Sequence, residues 1–169
     1  MHANDILIDG YDRIRETVHS VVADLPADTL NHRPAPGVNS ISWLVWHLTR
    51  VQDDHVAEVA GLTQVWLSGG WCERFGLDLP ADDTGYGHGS AEVAKVTVTS
   101  GSLLTGYFDA VHGQSREFLS GLTVPDFARV VDEDWDPPVT LGARLVSVLA
   151  DDLEHAGQAA YLRGLLTAR

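Results

Sequence analysis

Two histidines and one carboxylate in this chain have the residue types and the spacing of a metal site. Asp151 and His155 are four residues apart in an apolar segment, so a helix would place them one turn apart on one face. His47 lies between Leu44 and Val51 in another such segment. Imidazole and carboxylate groups suit Zn²⁺, Ni²⁺ or Fe²⁺, and three protein ligands leave a coordination position open. An Asp–His pair at this spacing also occurs as a plain hydrogen bond, so the spacing alone supports both interpretations.

Four polar side chains near these positions are candidates for substrate contacts. Arg50 and Arg144 flank the site segments, and each could bind a carboxylate or pair with the abundant surface acid. His55 follows His47 by two helical turns, about 12 Å along the axis, which is too far for both histidines to bind one metal ion. It is therefore assigned to the pocket or to packing. His88 lies in a glycine-rich loop and could reach the site or remain a surface histidine.

The two acidic residues next to the candidate ligands and the single cysteine are expected not to bind the metal. On a helix, Asp152 points about 100° away from Asp151, and Glu154 points about 60° away from Asp151. We expect them to be solvated or to support the ligands. Cys72 is the only cysteine, which rules out an internal disulfide and an all-cysteine metal site. We expect a partly buried, inert thiol there.

Four segments have the apolar periodicity of long amphipathic helices. They are expected at residues 4–25, 41–60, 101–119 and 141–167. Asn39 or Ser40 and Thr140 are suitable N-caps, and Gly61 suits a helix C-terminus. Four such helices predict an all-α protein, a four-helix bundle in a single domain of residues 1–169, with another helical array as the alternative. Bundles commonly build metal sites from side chains on facing helices.

The long irregular connection between the second and third helices, residues 62–100, is expected to fold over the bundle. A connection of this length inside a compact domain is more often functional than idle. Trp66 and Trp71 in it, and Trp135 in the next connection, either wall a pocket or seal the bundle ends. Of these, Trp66 is the candidate for a substrate contact.

The composition argues against several classes of partner. The formal net charge is −13 with a single lysine, so neither nucleic acid nor an anionic membrane is an expected partner. No apolar run approaches the roughly 20 residues of a membrane span, and no signal peptide is visible at the N-terminus. Together with the single cysteine, these features predict a cytoplasmic location.

Two sets of motifs along nearly the whole chain resemble a known family. The first set comprises Asn39-Ser40-Ile41, Trp46-His47-Leu48-Thr49-Arg50 and the segment Asp151 to Gln158. The second set comprises Gln64-Val65-Trp66, Gly69-Gly70-Trp71, Arg74-Phe75-Gly76-Leu77, Thr84-Gly85-Tyr86-Gly87-His88, Trp135-Asp136-Pro137-Pro138-Val139 and His155-Ala156-Gly157-Gln158-Ala159-Ala160-Tyr161. The first set resembles the DinB-like (YfiT-like) metalloprotein superfamily, and the second resembles its actinobacterial mycothiol S-transferase subgroup.

The resemblance implies an up-down-down-up bundle, often homodimeric, whose metal is held by the second and last helices. The ligand positions correspond to His47, Asp151 and His155. Many members have three histidines, so Asp151 is a departure from the common pattern. Zinc is the first expectation for the metal, with nickel or iron as alternatives.

The chemistry implied by the resemblance is thiol transfer. A divalent metal would activate mycothiol, a sugar-conjugated thiol, for attack on a small electrophile. A mycothiol-dependent isomerase is a close variant. Two histidines and a carboxylate also describe a non-haem iron oxygenase, and a non-catalytic, metal-binding stress protein is the remaining alternative.

Overall fold

The computed structural model describes residues 2–168 and confirms the all-α fold. Its helices in chain order are α1 (Ala3–Val22), α2 (Ala27–Asn31), α3 (Ile41–Ala60), α4 (Val65–Ser68), α5 (Trp71–Phe75), α6 (Ser90–Lys95), α7 (Gly101–Ser120) and α8 (Leu141–Thr167). A short 3₁₀ helix (Val124–Ala128) precedes strands β1 (Val130–Asp132) and β2 (Val139–Thr140), which pair antiparallel. The predicted domain limits, residues 1 and 169, lie outside the described residues.

Cross-helix contacts fix the directions of α1, α7 and α8. Tyr11 donates a hydrogen bond to the carbonyl of Leu145 near the start of α8. The carbonyl of Val21 accepts one from Arg163 near the end of α8, so α1 and α8 are parallel. Gly101, the first residue of α7, packs against the end of α1, so these two helices are antiparallel.

Helix α3 packs between α7 and α8, diagonally across the bundle from α1. Its C-terminal half meets the start of α8 where His55 contacts Arg144. Its N-terminal half meets the middle of α8 where Trp43 contacts His155, so α3 and α8 are antiparallel. The long helices therefore run up, down, down and up, as predicted.

The helix ends follow the expected capping chemistry, with one exception. The side chain of Ser40 accepts the Trp43 amide, and Gly61 ends α3 with a left-handed φ of 67°. Thr140 caps α8 in the same manner as Ser40 caps α3. Helix α1 ends at Val22 rather than at residue 25, because Ala23 adopts an extended ψ of 129° and Asp24 then adopts a left-handed φ of 59°.

The connection between α3 and α7 contains α4, α5 and α6 and covers the bundle, as expected. Trp66 and Phe75 are buried against Tyr107 of α7. Within residues 2–168, no helix is long and apolar enough to cross a membrane.

Candidate metal centre

The three candidate ligands meet where α3 and α8 face each other. One ligand atom from each of His47, Asp151 and His155 lies within 4.8 Å of the others. His47 is 5% exposed, and the other two side chains are half-buried. The rings of His47 and His155 have centroids 4.8 Å apart and are nearly perpendicular. The bundle thus converts two distant sequence segments into one cluster of nitrogen and oxygen donors.

Both imidazole rings are oriented by a hydrogen bond at Nδ1. Nδ1 of His47 lies 2.6 Å from the carbonyl oxygen of Thr84, which can only accept. Nδ1 therefore carries the proton, and Nε2 keeps a free lone pair. Nδ1 of His155 lies 3.1 Å from Gln158 Oε1, which produces the same tautomer. This arrangement is the one that metal-binding histidines usually show.

The carboxylate of Asp151 is not satisfied by the neighbouring histidine. Its Oδ1 is 3.7 Å from His155 Nε2, too long for a hydrogen bond. Its buried Oδ2 has no hydrogen-bond partner among the described residues. Ligands about 2.0–2.2 Å from a tetrahedral zinc ion stand roughly 3.4 Å apart, so this separation suits a shared cation. The donor set therefore fits a divalent metal better than it fits a simple Asp–His hydrogen bond.

The surroundings keep His47 in the form that binds metals. Burial lowers the pKa of its imidazole, and the nearby His155 and His88 lower it further. The Thr84 carbonyl and Asp151 oppose this shift, but the net direction is downward. A neutral imidazole is the form that offers a lone pair to a metal.

A tight turn at residues 83–85 holds the carbonyl that orients His47. Arg50 Nε donates to the carbonyl of Asp83, and the Gly85 amide donates to the Asp83 side chain. Gly85 has a φ of 89°, and a Cβ at this position would lie 2.7 Å from His47 Nδ1. Only glycine allows the turn to approach the ring so closely.

Trp43 forms one wall of the histidine pair. Its ring stacks on His47 with centroids 4.5 Å apart and contacts His155 edge-on. Its Nε1 donates to His88 Nδ1, and His88 Nε2 lies 2.9 Å from both carboxylate oxygens of Asp83. His88 thereby links the turn to the stacked tryptophan.

Arg50 has a different role from the substrate contact expected of it. It is fully buried, at 0% exposure, so no ligand in the cavity can reach it. Its guanidinium donates to the carbonyl of Asp83 and to the side chains of Gln64 and Tyr107. The carboxylate of Asp53 lies 3.6 Å away and balances its charge. Arg50 therefore anchors the connection to the bundle.

Trp66 and His88 also lie away from the cavity. Trp66 is 3% exposed, packs on Phe75 and Tyr107, and donates its Nε1 proton to the carbonyl of Ala81. The side chain of His88 is 5% exposed, and both its nitrogens are bonded to protein groups. Protein partners occupy the polar atoms that were expected to bind a substrate.

Two of the candidate ligands, His47 and Asp151, border a cavity of about 450 Å³. Val51 and Val148 give it apolar walls, Asp54 and Ser147 add polar ones, and Tyr86 lines it with an almost fully exposed ring. Two of the predicted substrate contacts do reach open space. His55 borders this cavity and a neighbouring one, and Arg144 borders the neighbouring one.

The structure gives several residues surroundings or roles that the sequence did not predict. Asp152, expected to be solvated or supporting, is fully buried with both carboxylate oxygens unpartnered among the described residues. Burial, and next the charge of Asp151, raise the pKa of Asp152. Thr84 acts through its backbone, so its residue type gives no signal. Gln158 could have been found from its position one turn after His155 on the same helix face.

Comparison with known proteins places this fold and this site in a family. The chain matches the DinB superfamily, which is metal-binding, over residues 11–159. The crystal structure of a conserved protein from Enterococcus faecalis is similar, with 33% sequence identity and a TM-score of 0.94. The match covers 100% of this chain and 99% of that one. No curated protein matches this chain. The extent of the family match shows that the chain belongs to the DinB superfamily.

Proposed function

We propose that the protein is a divalent-metal-dependent thiol S-transferase with mycothiol as its thiol substrate. The observation that carries this proposal is the donor cluster of His47, Asp151 and His155 beside an open cavity. The histidine tautomers and the unpartnered oxygen of Asp151 suit a cation, with zinc as the first choice and nickel or iron as alternatives. The expected homodimer and cytoplasmic location stay predictions.

The residues around the cluster suit the handling of a thiol and an electrophile. When bound, a divalent cation would favour thiolate over thiol and so supply a nucleophile at neutral pH. The side chains of Val51 and Val148 give the cavity an apolar wall on which the electrophile could bind beside the metal ligands. Cys72, on α5, does not line this cavity, so the attacking sulfur must come from a second substrate.

The two-histidine, one-carboxylate donor set also supports a non-haem iron oxygenase as a second candidate. The same cavity would suit a thiol-dependent isomerase, which needs the same activated thiol. A metal-binding protein without catalysis has the same ligands and differs only in its lack of turnover. Metal identity and the reaction observed separate these candidates.

The test measures metal content and thiol conjugation in the same preparations. We expect the wild-type protein to contain about one divalent metal ion per chain and to conjugate mycothiol to a bimane electrophile. His47→Ala and His155→Ala should lose both properties. His32→Ala, which removes an exposed histidine outside the cluster, should keep both. Iron content with oxygen consumption would favour the oxygenase, and bound metal without turnover would favour the non-catalytic protein.

A further inference from the structure

A second cavity of about 420 Å³ adjoins the metal cavity. The two cavities share His55 and Ser147 as walls. The second is also lined by Asp132 and Trp135 from the β1–β2 hairpin and by Arg144 from α8. The thiol-transfer chemistry proposed above uses none of these side chains, so the second cavity needs its own explanation.

The polar groups of this cavity are fixed in place before any ligand arrives. Arg144 Nη2 donates to Asp132 Oδ2 at 2.8 Å, and Arg144 Nη1 lies 3.0 Å from His55 Nδ1. Because arginine only donates, Nδ1 of His55 accepts and its Nε2 carries the proton. The array therefore offers a fixed N–H donor beside fixed carboxylate acceptors. Preorganised polar groups of this kind set the orientation of a small ligand.

Trp135 supplies an aromatic surface beside this array. Its side chain is 66% exposed, in contrast to the buried Trp43, Trp46 and Trp66. A large apolar ring left in solvent beside a cavity is available to stack on a ligand. The cavity thus combines one aromatic face with donors and acceptors at its edge.

The charge around the cavity disfavours an acidic ligand. Asp132, Glu133, Asp134 and Asp136 cluster on the hairpin, and the single arginine is already paired with a carboxylate. A neutral ring with hydroxyl groups at its edge and C–H groups on its face satisfies both the aromatic surface and the polar array. A carbohydrate has this chemistry.

The distance between the two cavities suits one molecule that occupies both. Arg144 and Asp151 are seven residues apart on α8, which corresponds to about 10 Å along the axis. We infer that the second cavity binds the neutral carbohydrate part of the thiol substrate while its sulfur lies at the metal cluster. This inference rests on the proposed function, because it assumes that a thiol binds at the cluster.

The test compares a sugar-bearing thiol with a sugar-free one. Mycothiol and N-acetylcysteine are assayed with the same electrophile on the metal-loaded wild type and on Trp135→Ala. We expect the ratio of kcat/KM for mycothiol to that for N-acetylcysteine to fall about tenfold or more in this variant. Trp135→Phe, which keeps an aromatic face, should recover most of the ratio. Tyr161→Ala removes an aromatic ring that is 72% exposed outside both cavities and should leave the ratio unchanged.

A binding measurement separates this inference from the proposed function. The thiol-free N-acetylglucosaminyl-inositol disaccharide, whose nitrogen is acylated and neutral as in mycothiol, should bind the wild type saturably in calorimetry and should bind Trp135→Ala at least about tenfold more weakly. Binding of the disaccharide without conjugation of either thiol would refute the proposed S-transferase activity and would still support the sugar-binding site. Conjugation with an unchanged ratio of the two kcat/KM values in Trp135→Ala would refute the sugar-binding site and would still support the S-transferase activity. An equal loss with both thiols would assign Trp135 to the electrophile and overturn the inference.

Discussion

At the scale of single residues, the site depends on a backbone carbonyl as much as on its candidate ligands. The Thr84 carbonyl fixes which nitrogen of His47 is free, and it is itself held by the turn around Asp83. Neither contact needs a particular side chain at position 84. The residue that the geometry restricts most is Gly85, whose Cα faces the imidazole ring.

Substitution of Gly85 tests whether this turn sets the affinity for metal. In Gly85→Ala the new Cβ would lie 2.7 Å from His47 Nδ1, so the ring or the turn must move. We expect metal affinity to fall about 10- to 100-fold, the usual cost of disturbing a group that orients a ligand. Competition with a chromogenic chelator measures the change.

Gly87→Ala is the matched control for this prediction. Gly87 has a φ of 75°, close to that of Gly85, but a Cβ there meets no atom within 4 Å. Both variants carry the backbone strain of a left-handed residue, about 1 kcal/mol. Equal metal affinities in the two variants would show that the close contact with His47 does not set the affinity for metal.

At the scale of elements, α3 is buried on nearly every side. Residues 41–50 are all buried, although their sequence pattern predicts a single apolar stripe. One side of α3 faces α8 and presents His47. Another side presents Arg50 and Asp53 to α7 and the connection that covers it. The helix therefore joins the site to the element that positions the Thr84 turn.

Asp53 is the residue that attaches this connection most directly. Its carboxylate accepts the backbone amides of Val65 and Trp66 and the hydroxyl of Tyr107, all within 2.8 Å. Burial raises the pKa of this carboxyl, although these hydrogen bonds and Arg50 oppose the shift. We expect Asp53→Ala to lower the free energy of unfolding by about 3–5 kcal/mol, because it leaves the buried charge of Arg50 without a counter-charge and three donors without their acceptor. Urea denaturation measures this loss.

The neighbouring Asp54 provides the comparison for Asp53. It is half-buried and accepts one hydrogen bond, from Gln64. Its replacement by alanine should cost only about 0.5–1.5 kcal/mol, the usual net value of one hydrogen bond. Similar urea midpoints for the two variants would mean that the buried cluster does not hold the connection in place.

Local chemistry determined which elements the sequence could predict. The limits of α3 and the start of α8 follow from Ser40, Gly61 and Thr140, whose effects act within one turn. The β1–β2 hairpin was not predicted, because strands of three and two residues are too short to show alternation. The roles of Arg50 and the Thr84 turn depend on contacts between distant segments, which no local pattern reveals.

At the scale of the whole molecule, the candidate metal centre and the main surface ion pairs lie on opposite sides of the bundle. The candidate ligands occupy the interface of α3 and α8. The interface of α1 and α7, across the bundle, contains Asp109 between Arg15 and His19, and Asp12 beside His112 and Arg116. In a chain of net charge −13, Arg15 and Arg116 are placed where two helices meet. The stability of this interface can therefore be changed without contact with the site.

Replacement of Asp109 by asparagine should reduce stability in a pH-dependent manner and leave metal content unchanged. Burial raises the pKa of Asp109, but hydrogen bonds from His19 and Arg15 outweigh it, so the folded-state pKa lies below the ordinary value of 3.8. Its contribution to stability is therefore present above pH 3.8 and is lost as pH falls through the lower folded pKa. At pH 7 we expect Asp109→Asn to cost about 0.5–1 kcal/mol, since the pair is partly exposed, and the stabilities of the variant and the wild type should converge in acid.

Asp9→Asn is the control, because it breaks a more exposed pair with Arg13 within α1 and should cost less. A constant difference between Asp109→Asn and the wild type from pH 7 to pH 2 would show that the charge of Asp109 does not stabilise this interface.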